Sequence, residues 1–157
     1  MRLSGNVILL MILGLMPMFA QMSSKKSMSL AAAKEIAAAA EAEARKNNWN
    51  VVIVILDDGA NLVYLQRMDG TQIGSIEVAQ AKAKSAVNFK RPTKVFEDAV
   101  IGGRMAILKL PGALPVEGGI PIMMGDQLVG AIGISGVQSN QDGQIAAAGV
   151  AAAAKMK

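Results

Sequence analysis

The chain has 157 residues, enough for one domain with a sizeable core. It contains no Cys and no His, which excludes disulfides, thiolate chemistry, zinc ribbons, iron–sulfur ligation and a lipoprotein anchor. The commonest general base and haem ligand is absent too. The formal charge of +4 is not gathered into a Lys/Arg stripe with interleaved aromatics, so no nucleic-acid partner is read.

Met1–Ala20 has a positive start at Arg2, an apolar run from Val7 to Phe19 and a cleavage point after Ala20. The run is short for a bilayer span, so it reads as a secretory signal peptide, with an uncleaved N-terminal anchor as the alternative. The expectation is a periplasmic or secreted protein with no stable membrane insertion once the leader is removed. Residues 21–28 form a polar linker, and residues 29–157 form the domain.

Ser29 is a good N-cap for an Ala-rich helix from Leu30 to Lys46, with Leu30, Ile36 and Ala37 inward. Val51–Leu56 is a continuous β-branched run, hence a buried strand, and Leu62–Met68 is its returning partner. Asp57 and Asp58 between them resemble a carboxylate pair, but Asp-Asp-Gly is ordinary turn chemistry. A helix follows over Ser75–Phe89, with Ile76, Ala79, Ala83, Ala86 and Val87 as its apolar stripe and Lys82, Lys84 and Lys90 around it. Pro92 ends that helix, and a shorter one covers Thr93–Ile101. Arg104–Leu110 reads as a short strand or a loose segment.

Ile120–Met124 and Gln127–Ser135 flank Gly125-Asp126, a tight-turn signal between two apolar arms. Both arms are apolar on both faces, so this hairpin is expected at the centre of its sheet. Asp142 caps a last Ala-rich helix from Gly143 to Lys155. The order α-ββ-α-α-ββ-α gives an α+β fold, a central antiparallel sheet of two hairpins covered by helices.

Four blocks, in order, resemble the GlcG/HbpS family of haem-binding or haem-degrading domains. They run from Val54-Ile55-Leu56-Asp57-Asp58-Gly59 to Arg67-Met68-Asp69-Gly70; from Ala81-Lys82-Ala83-Lys84-Ser85-Ala86 to Phe89 and Pro92-Thr93; from Leu110-Pro111-Gly112 to Gly118-Gly119-Ile120-Pro121-Ile122; and over Val129–Gly136 with Asp142 and Ala148-Gly149. The resemblance covers residues 28–155. It implies a compact α+β domain, homo-oligomers from dimer to octamer, and a haem cofactor. Where the family usually has Thr, this chain has Ser85, which inherits a weak contact to haem iron. The alternative for Ser85 is a bond to its own helix backbone.

For a flat macrocycle with two carboxylates, Gly118, Gly119 and Met123 or Met124 supply an apolar wall, and Arg67, Lys82, Lys90 and Arg91 pair with propionates. Strong axial ligation has to come from Met68, Met105, Met123, Tyr64 or Lys, or be absent, so haem binding is expected to be weak or labile. No nucleophile–base pair is present. Glu117, beside Gly118, is the sole carboxylate placed for acid–base work, and its alternative is bonding loop backbone. The expectation is a haem-binding accessory protein that assists haem degradation or sensing, rather than a self-sufficient enzyme. The alternatives are an oligomeric accessory without cofactor and a protein associated with a small organic acid or other small-molecule ligand.

Overall fold

Strand β1 (Val52–Asp57) carries the core on both of its faces. Its side chains alternate between Val52, Val54 and Leu56 on one side and Ile53 and Ile55 on the other, and all five are buried. A computed structural model describes residues 24–156; the signal-peptide reading falls on residues outside these. β1 lies between β2 (Leu62–Arg67) and β4 (Gln127–Ser135), and β3 (Gly119–Met124) pairs with β4 on the far side. All three pairings are antiparallel, in the order β2-β1-β4-β3.

The two faces are covered differently. Helices α1 (Leu30–Lys46) and α4 (Ser139–Ala153) bury Ile36, Ile53, Ile55, Ile132, Ile134 and Ile145 on one side. Helix α2 (Ser75–Phe89) packs Ala79, Ala83 and Ala86 against Val52, Val54, Leu56 and Ala131 on the other. Small side chains on α2 let its backbone sit close to the sheet. A Cβ on Gly133 would strike the Ala79 carbonyl oxygen and lie 2.7 Å from the Ala83 amide nitrogen. After α2 come α3 (Lys94–Ile101), a short 3₁₀ turn over Met105–Lys109, and a loop that returns to β3.

The expected α+β architecture is the one observed, and four details differ from the sequence reading. Only β4 of the second hairpin is central; β3 is an edge strand, where Pro121 forfeits no hydrogen bond toward a neighbour. Leu30 is 52% exposed, and the buried stripe of α1 begins at Ala33. Arg104–Leu110 contains a 3₁₀ turn, not a strand. Helix α4 starts four residues early, its first turn held by the Gln138 amide donating to Gln141 Oε1 at 3.2 Å, so Asp142 is not its cap.

Candidate functional site

Position 82 falls on the sheet-facing stripe of α2, three residues after Ala79 and one before Ala83, so Lys82 is carried inward. Its side chain is 1% exposed, and its Nζ donates to Asp142 Oδ2 at 2.7 Å; Asp142 is 2% exposed. Asp142 Oδ1 accepts from the Val137 amide at 3.3 Å. Burial pushes the Asp142 carboxyl above its ordinary range, against the hydrogen bond and charge of Lys82. Two ions from helices on opposite faces thus meet beside Gly118, where β3 begins alongside the end of β4.

Gly118 and Gly119 make that meeting possible. A Cβ on Gly118 would lie 2.8 Å from Lys82 Nζ and 2.9 Å from Asp142 Cβ, and the residue has φ +127°, a region that favours glycine. Gly119 lies against the Lys82 carbonyl and Thr93. Buried Thr93 completes the contact: its amide donates to the Gly119 carbonyl at 2.9 Å, and its Oγ1 accepts from the Gly119 amide at 3.0 Å.

Ser85, one turn along α2, is fully buried, and its Oγ accepts from the Leu114 amide at 3.1 Å. It pins the loop before β3 to α2, in place of the helix back-bond considered for it. Glu97 on α3 accepts from the Glu117 amide at 2.6 Å and from Ser139 Oγ at 2.9 Å. The Glu117 carboxylate lies against Gly143 of α4, with Lys94 Nζ 3.9 Å from its other oxygen. Lys94 is itself held above its usual range, first by its hydrogen bond to Asp98.

The residues singled out from sequence therefore divide. Lys82, Ser85, Glu117, Gly118 and Gly119 are gathered around the loop preceding β3, where Lys82 faces Asp142 rather than a surface rim. Lys90 and Arg91 are exposed at the C-terminal end of α2, with the Arg91 guanidinium 5.9 Å from the centre of the Phe96 ring. Arg67 is exposed at the end of β2, opposite Val52, whose other neighbour, Ser135, bonds Ser75 at the start of α2. Arg67 thus lies near the start of α2 and Arg91 beyond its end, with a 15-residue helix about 22 Å long between the two positions. Met123 is 41% exposed at the tip of edge strand β3, whereas Met68 is buried.

Asp142, Thr93, Glu97 and Ser139 enter the cluster only through the structure. The signal for Lys82 was present in its spacing from Ala79 and Ala86, but nothing local marks a partner 60 residues away. Asp57 is a turn residue: burial raises its carboxyl, but bonds from Asn61 and Gly59 outweigh that and hold it below its usual range. Among the described residues, no group of three or more His, Cys, Asp or Glu is arranged to hold a metal. No described helix is long and apolar enough to cross a membrane.

Comparison with known proteins gives the same fold a lineage. Protein GlcG of Escherichia coli K12 is 40% identical over 114 residues, which is 73% of this chain and 85% of that protein. The crystal structure of HbpS superposes with a TM-score of 0.75 at 30% identity, covering 83% of this chain and 93% of HbpS. A PduOC:heme complex superposes with a TM-score of 0.72 at 28% identity, covering 81% of this chain and 95% of that one. Residues 28–151 match the family described as haem degrading protein HbpS-like, and the chain belongs to that family.

Proposed function

We propose that this protein is an exported haem (tetrapyrrole) binding protein that works as a homo-oligomer and assists haem degradation or sensing. The observation that carries this reading is the family match, together with the likeness to the PduOC:heme complex. The leader-like Met1–Ala20 supports export.

The chain's own residues fit a flat apolar group with anionic arms. Ile101, Met105, Leu108 and Leu110 are 79%, 57%, 52% and 39% exposed on α3, the 3₁₀ turn and the residue that ends it. Arg104 and Lys109 lie on this segment, and Lys90 and Arg91 precede it, as cations for propionates. Met105 offers a thioether within that apolar surface. Ser85 becomes available to iron only if the Leu110–Gly118 loop releases it, since its oxygen is engaged by Leu114. Arg67, at the end of β2, lies near the opposite end of α2 from Arg91 and does not share this rim.

Haem titration of the chain from Gln21, followed by Soret absorbance, tests this. A saturable shift is expected, weakened about tenfold by Arg91→Ala with Arg104→Ala, since two charge-assisted contacts of this kind contribute at least about 1.4 kcal/mol. Arg67→Ala is expected to leave it unchanged. Spectra that never saturate would reject haem as the ligand. The oligomeric accessory without cofactor is then favoured by the same exposed apolar segment, which a second subunit would cover.

A further inference from the structure

Three methionines that lie outside the Ile101–Leu110 surface proposed for haem converge on one small cavity. Met28 comes from the extended segment before α1, Met124 from the end of β3, and Met156 from the chain just after α4. All three are half-buried and pack against the Ile-rich core. The cavity they line holds about 30 Å³, and its remaining wall is almost wholly apolar, including Ile36, Ile122 and Val129. A space of that size admits one water or one ion; among its described lining side chains only Ser27 is polar, so a water there lacks most of its partners.

A second, open cavity of about 380 Å³ shares Met124 and Met156 and adds Met123 and Lys26, so the thioethers have a route to solvent. The segment bearing Met28 is fastened at its start, where Lys25 pairs with Asp58 and the Lys26 carbonyl accepts from Gln127 Nε2 at 3.0 Å.

We propose that Met28, Met124 and Met156 form a thioether site for a soft monovalent cation of the Cu(I) or Ag(I) class. Thioethers are soft, neutral ligands, and among the described residues neither cavity is lined by a carboxylate, a thiolate or an imidazole, so hard divalent ions gain little there. A single positive charge bound by neutral sulfur also needs fewer compensating charges than a divalent ion in an apolar wall. The site lies between α1, α4 and the second hairpin, on the sheet face opposite α2, and is independent of haem binding.

Ag(I), which does not change oxidation state, is the probe. The protein labelled with ¹³C at methionine methyl groups is titrated with Ag(I) and, separately, with Zn(II). Saturation at one Ag(I) per chain is expected, with shifts concentrated in Met28, Met124 and Met156 out of eleven methionines. The Met28→Leu/Met156→Leu variant keeps side-chain volume and fold; it is expected to weaken Ag(I) binding at least about tenfold, a loss of about 1.4 kcal/mol. Uniform shifts over exposed methionines, unchanged affinity in the variant, or equal response to Zn(II) would each overturn the site and leave the three as core filler.

Discussion

Asp142→Ala is expected to destabilise the protein by about 3–5 kcal/mol, because it strands the Lys82 ammonium in a dry site with no counter-charge. The pair itself is not a source of that much stability. The Asp142 carboxyl is raised, which says that burial outweighs what Lys82 returns. The native carboxyl then holds its proton at a higher pH than the unfolded one. This group's contribution therefore rises as pH falls toward the ordinary Asp value of about 3.9. Replacing both partners by apolar residues of similar size, Lys82→Met with Asp142→Leu, is accordingly expected to restore most of the loss. Urea midpoints of the two variants check the point. A single variant as stable as the parent would mean that water reaches Lys82 and the pair is not dry. A double variant no better than the single one would mean that the pair's hydrogen bonds, such as that from Val137, are what matter.

Gly133→Ala is expected to cost about 3 kcal/mol, at the upper end of overpacking effects. The added methyl points at the Ala79 carbonyl and the Ala83 amide, both helix backbone, and neither can turn aside as a side chain can. Relief requires α2 to lift from β4, which also opens the contacts among Lys82, Gly119 and Thr93. Gly125→Ala offers the contrast. It has φ +60° with open space around it, so its cost is the backbone conformation alone, about 1 kcal/mol. Thermal unfolding of both variants separates the two causes. If they lose the same amount, the approach of α2 to the sheet is not what position 133 protects.

The distinction between these glycines shows what was legible beforehand. The Gly125-Asp126 turn and the bounds of β4 and of α2 are local matters, set by φ preference, β-branched runs and a stop before Pro92, and they are readable from the chain. A glycine at position 133 is compatible with a close approach but does not reveal what makes it, because a missing side chain does not say what fills its place. The sequence reading puts Lys82 among the rim cations for propionates, although its spacing from Ala79 and Ala86 places it on the buried stripe. Its neutralisation by Asp142 had no local sign at all, since the two meet only after α2 and α4 dock on opposite faces. Of the candidate residues, those near the β3 loop converge because the backbone passes tightly there. Arg67, Met123 and the Lys90-Arg91 pair lie elsewhere, because sequence order does not measure the length of α2.

The claim that this member of the family carries haem as a multimer is tested most directly by native mass spectrometry after haem loading and removal of excess. The account predicts a multimer of the chain bearing a fixed, whole number of haem groups that does not grow with further haem. A bare monomer, or a ladder of adducts that lengthens without limit as haem is added, would contradict it.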